Sequence, residues 1–486
     1  MKRIIHLPVI SNAFGISIFI IGIFMLSALP FAIYFNENTV LPFLVSAGVT
    51  IITGGLFWGI FKKKKITDMG ERDAFVIVSV TWFAAGLFGA LPYLLSNTIP
   101  HFADAFFESV SGFTTTGASV LTDIESMPKS ILYWRSLTQW LGGMGILVLV
   151  IAVLPNLASG EVKLFIAEAP VASGNKIHPQ IRQTALRLWF VYSFLSFAMV
   201  AFLMYGNMNF FESVCHSFST LSTGGFSPKN NSVEGYSSYI QIVFIVFMCF
   251  GGMNFVIHYW LLKGRIRKML RNEELKMFII FIVIISFGFG AILVFNEHYT
   301  EFSDALRHGF FQCVSILTTT GFYTSDYVLW PQMTWLILFL LFFTGGMTGS
   351  TSGGIKFTRH YVLLKNIRKE VRKFIHPRAI IPIKIDNITV EDNVINNYYI
   401  IFVIYILTFC IGSLVMTFFT QNIPEAFGVT MACLGAIGPA FGDFGPTGNY
   451  SQLHDGGKYF LSFLMVLGRI EILPFLLIFT RYFRKP

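Results

Sequence analysis

Four short polar turns, each set among apolar residues, carry groups suited to binding a bare cation. They are Thr114–Thr115–Thr116–Gly117, Leu221–Ser222–Thr223–Gly224, Thr318–Thr319–Thr320–Gly321 and Gly435–Ala436–Ile437–Gly438. A monovalent cation that sheds its water needs a replacement shell of oxygens, and rings of backbone carbonyls can supply one. Carbonyls that point inward in succession require backbone angles that only Gly adopts easily. Ala436 and Ile437 have no hydroxyl, so the chemistry common to all four turns is backbone. The expected ion-coordinating residues are Thr115, Thr116 and Gly117; Ser222, Thr223 and Gly224; Thr319, Thr320 and Gly321; and Ala436, Ile437 and Gly438.

Each turn ends a longer repeat. The segments read DAFFESVSGFTTTGASV from Asp104, NFFESVCHSFSTLSTGGFS from Asn209, DALRHGFFQCVSILTTTGF from Asp304 and NIPEAFGVTMACLGAIGPAFG from Asn422, at intervals of about 100 residues. Each opens on a residue type that caps helix N-termini, and Pro424 suits a first helical turn. A helix of about a dozen residues reaches about 18 Å, too little for a hydrocarbon core of about 30 Å. It can enter halfway and turn back. Non-helical backbone at membrane depth survives only where it lines a watery path or is buried in protein. Four such elements predict a ring around one pore.

A second repeat runs in phase with the first. About 25 to 30 residues after each turn come Gly142–Gly143–Met144, Gly251–Gly252–Met253, Gly345–Gly346–Met347 and Gly468–Arg469–Ile470. The third continues as GGMTGSTSGGIKFTRH to His360. So many small and hydroxyl residues make a poor helix, each Gly disfavouring it by about 1 kcal/mol relative to Ala. A broken helix is expected there, with a gating loop formed by Gly345, Gly346, Thr348, Gly349, Ser350, Thr351, Ser352 and Gly353 just below the turns. Arg469 stands where the other units have their second Gly. An ionisable residue at that depth usually faces a cavity, so its guanidinium is expected near the pore axis, where it bars ions. The competing expectation is an ion pair with Glu471.

The elements that position these residues are membrane spans. Mean hydropathy is +0.65, 54% of residues are hydrophobic and only 13% are charged, against about 25% charged in soluble domains. Ten spans are expected, at 9–34, 40–61, 73–97, 132–155, 186–206, 239–262, 277–296, 333–355, 395–419 and 457–481. The fold class is therefore all-α and polytopic, with four helix–pore loop–helix repeats. Residues 1–70 hold two leading spans, and the repeats occupy 71–155, 156–263, 264–375 and 376–486.

The net charge of +9 is not a nucleic-acid signal. Of 35 Lys and Arg, 29 fall in the N-terminus, 62–72, 156–187, 263–276, 356–384 and 481–485. Those segments follow every second span, the positive-inside pattern, which places both termini in the cytoplasm. The opposite side carries 14 acids against five bases, Lys129, Arg135, Lys229, Arg307 and Lys458, a field that gathers cations. The basic stretch 356–393 could bind anionic lipid or dock a soluble regulator. Five cysteines lie in apolar stretches with no metal or disulfide spacing. No catalytic constellation shares one depth, which argues against an enzyme. Coupled solute transporters usually carry inverted repeats, whereas these four run in one orientation.

The four turns, GGMNF at 251–255, GGMTGSTSGGIK at 345–356 and LGRIEI at 467–472 resemble the TrkH/TrkG/KtrB superfamily of potassium transporters, over nearly the whole chain. Its length and two leading spans are more similar to the TrkH branch. The resemblance implies potassium uptake across the bacterial cytoplasmic membrane, with K+ as the transported ion and no organic cofactor. It implies a homodimer with one pore per subunit, gated by a cytosolic nucleotide-binding subunit of the TrkA type. A sodium- or proton-coupled cation symporter of the same fold is the alternative. The gating-loop role carries onto Thr344–Gly354 and the arginine barrier onto Arg469. Gly in all four turns resembles potassium-selective members, whereas sodium-favouring relatives often have Ser in place of Gly117. AIGPAFG departs from the more usual Asn-containing fourth turn, with Gly438 and Pro439 in place.

Overall fold

The computed structural model describes residues 6–60, 71–145 and 181–480. Much of the basic segments 62–72 and 156–187, and the repeat boundaries near 70 and 155, lie outside those residues. Two leading spans come first. Helix α1 (Leu7–Met25) passes through a 3-10 turn into α2 (Leu29–Tyr34), and α3 (Val40–Ile60) returns. These two spans approach closely at Gly15 and Gly54, where any Cβ would overlap the facing backbone, a common packing device between membrane helices.

Four units follow, each an entering helix, a short helix and a returning helix. Unit 1 holds α4 (Glu71–Gly89) with α5 (Leu91–Leu95), then α6 (Phe102–Phe113) and α7 (Lys129–Gly143). Unit 2 holds α8 (Ile181–Tyr205), α9 (Phe210–Leu221), α10 (Ser238–Gly252) and α11 (Phe255–Leu262). After the small helix α12 (Ile266–Arg271), unit 3 holds α13 (Glu273–Phe295), α14 (Phe302–Leu317), α15 (Gln332–Phe342) and α16 (Phe357–Ile375). A two-stranded hairpin pairs β1 (Lys384–Ile385) with β2 (Ile388–Thr389). Unit 4 holds α17 (Asp392–Met416), α18 (Ile423–Leu434), α19 (Asp455–Arg469) and α20 (Leu473–Phe479).

Among the described residues, six helices are long and apolar enough to cross a bilayer, eight when two bent pairs are counted. The expected spans 132–155 and 333–355 begin as helices of 15 and 11 residues, α7 and α15. The break expected in unit 3 is present: residues 343–356 are not helical, and Thr344 bridges Ile355. The breaks in units 2 and 4 were not expected. Spans 239–262 and 457–481 bend by 107° between α10 and α11 and by 110° between α19 and α20. Asn254 caps α11 by accepting from the Val256 N–H at 2.9 Å. At the second bend Glu471 and Ile472 both take left-handed φ, 59° and 57°, and Pro474 falls in the first turn of α20.

The four short helices α6, α9, α14 and α18 have 12, 12, 16 and 12 residues. Asn209 and Asn422 cap α9 and α18, as expected, by accepting from the N–H groups of Glu212 and Glu425 at 2.8 and 3.0 Å. Asp104 and Asp304 do not cap. They sit in the first turn, and His101 and Glu301 hold the cap positions. A carboxylate in the first turn still complements the helix dipole.

Candidate functional site

All four short helices end in one backbone motif. The N–H groups of Thr116, Gly224, Thr320 and Ile437 donate to the carbonyls of Ser111, Ser219, Ser315 and Ala432 at 2.8–2.9 Å. Those of Thr115, Thr223, Thr319 and Ala436 donate three residues back, to Gly112, Thr220, Ile316 and Cys433. This is the Schellman arrangement, which normally places Gly in the left-handed position. Here that position holds Thr115, Thr223, Thr319 and Ala436, with φ between 54° and 56°. A non-Gly residue in this conformation is strained by about 1–2 kcal/mol, and four equivalent cases point to a function.

Two residues further on, each turn reaches a second left-handed residue. These are Gly117, Gly225, Gly321 and Gly438, with φ of 84°, 78°, 85° and 92°. The expected register was therefore wrong by one residue in unit 2. Gly225, not Gly224, is equivalent to the other three glycines, and Gly224 stands level with Thr116, Thr320 and Ile437.

The four glycines meet in a closed cycle. A Cβ on Gly117 would overlap the carbonyl oxygen of Gly224, and one on Gly225 that of Thr320. A Cβ on Gly321 would overlap the carbonyl of Ile437, and one on Gly438 would meet that of Thr116 at 2.6 Å. Each unit thus touches the next, and the fourth returns to the first. A cavity of about 130 Å³ on one side of the ring is lined by Gly117, Gly225, Gly321 and Gly438. One of about 460 Å³ on the other side is lined by Gly143, Asn254, Thr351, Gly353 and Arg469. The Gly pairs of the returning helices make room for the ring. A Cβ on Gly142 or Gly468 would overlap the last carbonyl of its own short helix, at Phe113 or Leu434. One on Gly143 or Gly252 would press on Ser222 or Thr318 of the next unit.

Three of the four left-handed side chains face the broken segment of unit 3, and the fourth, Thr115, meets Arg469. Thr319 Oγ1 accepts from the Gly353 N–H at 2.7 Å, and Thr223 Oγ1 donates to Thr351 Oγ1 at 3.4 Å. Ala436 Cβ lies 2.7 Å from the position a Cβ on Gly353 would take. Thr115 Oγ1 accepts from Arg469 Nη1 at 3.3 Å. Residues 351–353 therefore lie directly against the ring. The rest of the segment is held by Met347 N–H to the Gly252 carbonyl (2.8 Å), Gly346 N–H to Ser352 Oγ (2.9 Å) and Thr348 N–H to Glu274 Oε1 (3.1 Å). Lys356 donates to the Ser352 carbonyl. Gly345 and Gly349 complete the expected loop: the Gly345 N–H donates to Ile355 O at 2.8 Å, and Gly349 O accepts from Phe255 N–H at 3.1 Å. The Ser350 hydroxyl donates to the Met347 carbonyl at 2.7 Å.

Arg469 joins this cluster. Nη1 donates to the Thr351 carbonyl at 2.8 Å, and Nη2 donates to the Gly142 and Gly143 carbonyls at 2.6 and 2.8 Å. A cation at the C-terminus of α7 also complements that helix dipole. Glu471, the competing partner, binds Arg359.

Sequence reasoning missed a buried ion pair behind the first turn. Arg135 Nε and Nη2 donate to Glu108 Oε1 at 2.7 Å, with both side chains at most 1% exposed. Arg135 Nη1 also reaches the Ser227 carbonyl at 3.3 Å, and the Val120 N–H donates to Glu108 Oε2 at 2.9 Å. The pair therefore ties units 1 and 2 together. Lys458, also counted as an outer charge, is 3% exposed and pairs with Asp104 at 2.5 Å between units 4 and 1. In the loop after α6, the Asn230 amide donates to Asp123 and holds its carboxyl below the usual carboxylate range.

Half-penetrating helices that close a four-part ring around one axis define a polytopic membrane protein of four pseudo-symmetric repeats. The chain belongs to the TrkH family of cation transport proteins, whose family model matches residues 43–484. It is a transport protein, not an enzyme. The Trk system potassium uptake protein TrkG of Escherichia coli (strain K12) is 32% identical over 98% of this chain and 99% of its own length. The potassium uptake protein TrkH of Halomonas elongata is 34% identical, with the same coverage. The crystal structure of the potassium transporter TrkH from Vibrio parahaemolyticus superposes with a TM-score of 0.88 at 30% identity, over 98% of this chain and 99% of that one.

Proposed function

We propose that this protein takes up potassium across the bacterial cytoplasmic membrane through the ring at Gly117, Gly225, Gly321 and Gly438. Carbonyls of the four turns replace the water around the ion, and K+ is the transported species. The observation that carries this reading is the cyclic contact of each glycine with the carbonyl of the next unit. A closed ring of backbone oxygens suits a monovalent cation. Full-length similarity to proteins named as potassium uptake systems supports the choice of ion.

In this reading the segment from Thr344 to Gly354 is the gate. It bonds to turns 2 and 3 and stands in the path of any ion leaving the ring. Arg469 holds it there and adds a positive charge beneath the ring. A cytosolic regulatory subunit of the TrkA type pulls on the basic helix α16, which continues directly from the gate, and two copies of the chain form a homodimer. Glu471 and Glu108 are each bound to an arginine. A coupled symporter would need a further buried carboxylate, and Glu274, which lines the cavity beneath the ring and bonds to Thr348 and Thr358, is the candidate the flux test addresses.

The test is growth of an uptake-deficient bacterium at low potassium, with and without a regulatory partner, alongside potassium flux into liposomes that have no sodium or proton gradient. Growth rescue with gradient-independent flux is expected. Membrane expression without rescue in either case rejects potassium as the substrate. Flux that needs a second gradient assigns the symport mechanism.

A further inference from the structure

The second turn departs from the first and third. Where units 1 and 3 have Thr116 and Thr320, unit 2 has Gly224. Gly224 has no left-handed φ, so backbone geometry does not require glycine there. Space does: a Cβ on Gly224 would overlap the side-chain amide of Gln139. Gln139 comes from α7 of unit 1 and is fully buried. Its Nε2 donates to the Gly224 carbonyl at 2.6 Å, and its Oε1 accepts from the Phe226 N–H at 3.1 Å. The carbonyl can only accept and the N–H can only donate, so one amide orientation fits both. The two bonds straddle Gly225, the left-handed residue of the ring.

In units 1 and 3 the work is done locally. Thr116 and Thr320 bond through their hydroxyls to Thr114 and Thr318 at 2.8 Å. Ser222 has no such partner at position 224. The Gln139 amide takes the place of the missing hydroxyl, supplied by the neighbouring unit. The Gly224 carbonyl is also the oxygen that abuts Gly117. One side chain of unit 1 therefore fixes the carbonyl against which unit 1's own ring glycine rests.

We propose that Gln139 is a selectivity-determining positioning residue, which sets the Gly224–Gly225–Phe226 backbone at the width that suits potassium and replaces the Thr hydroxyl of the first and third turns. The inference rests on the ion-conduction reading of the ring. It goes beyond that reading by assigning a residue outside the four turns.

The experiment measures potassium and sodium flux into liposomes for wild type, Gln139→Met, Gln139→Ala, Gly224→Thr and the double variant Gln139→Ala/Gly224→Thr. Gln139→Met keeps the volume and loses both hydrogen bonds, and its potassium-to-sodium preference is expected to fall about tenfold, a typical size for lost hydrogen bonds. Gln139→Ala is expected to fall at least as far. Gly224→Thr alone, crowded against Gln139, is expected to lose most uptake. The double variant rebuilds a Thr-Thr-Gly turn in the space vacated, and its preference should return to within about twofold of wild type.

A wild type that carries no potassium sinks the functional reading itself. A potassium-selective wild type with an equally selective Gln139→Met overturns this proposal alone. So does a double variant no more selective than Gln139→Ala, or one that accumulates in membranes no better when Gln139→Ala fails to fold. A purely structural role would lower the amount of protein and leave the ion preference of the surviving fraction unchanged.

Discussion

The guanidinium of Arg469 lies 2.8 Å from the carbonyl oxygen of Thr351, and through that contact unit 4 holds the broken helix of unit 3 against the ring. The same guanidinium binds the end of α7 in unit 1. Three units therefore share one charge beneath the turns.

Arg469→Ala should release the loop. Hydrogen bonds to a charged group each contribute about 1.5–3 kcal/mol. Losing the Thr351 bond should raise the population of the displaced loop by about tenfold or more. Potassium flux without a regulatory subunit should rise accordingly. Unchanged flux and unchanged ion preference would show that Arg469 neither latches nor bars the path.

Deleting Gly349–Gly353 removes the residues that meet Thr223, Thr319 and Ala436. Flux through this variant should rise several-fold and lose its dependence on a regulatory partner. If flux in liposomes stays at the wild-type level, the segment does not obstruct conduction.

Gly225→Ala and Gly224→Ala should separate sharply. A Cβ on Gly225 must adopt a left-handed φ, at about 1–2 kcal/mol, and must also push into the backbone carbonyl of Thr320. Uptake should be abolished. A Cβ on Gly224 meets only a side chain, Gln139, so uptake should persist with weakened preference for potassium. Equal loss in both variants would contradict the assignment of Gly225 to the ring. Growth at low potassium, normalised to membrane expression, gives the comparison.

Glu108→Ala leaves Arg135 charged and fully buried. Breaking such a pair from one side destabilises by about 3–5 kcal/mol, so the thermal unfolding midpoint in detergent should drop clearly. The double replacement Glu108→Leu/Arg135→Met removes both charges and should recover most of the loss. A double variant as unstable as Glu108→Ala would mean that the polar contacts to Val120 and Ser227 matter more than charge balance.

Much of the ring was legible because its cause is local. An apolar helix too short to cross, followed by hydroxyls and a glycine, specifies a re-entrant turn in any of the four segments. The register failed only at Ser222–Thr223–Gly224–Gly225, where two adjacent glycines offered two choices. Gly225 is the left-handed residue, and what makes position 224 a glycine as well is Gln139, 85 residues away in sequence, which no local pattern exposes. The bends after Gly252 and Arg469 were missed because hydropathy runs straight through them. Asn254 and Pro474 were the available signals, each a helix-start residue inside an apolar run. Arg135 and Lys458 were read as surface charges because sequence position places them near span ends. Their burial follows from carboxylates on other elements, Glu108 and Asp104.

The bends have a mechanical consequence. Straight inner helices can seal a conduit by converging at its cytosolic mouth. Here the returning helices of units 2 and 4 bend by 107° and 110° at α11 and α20, so among the described residues these two do not run on straight beneath the ring. In the proposed reading, closure then falls to the short segment from Thr344 to Gly354 immediately under the ring. Opening therefore calls for small displacements of that segment, and the surrounding scaffold can stay still.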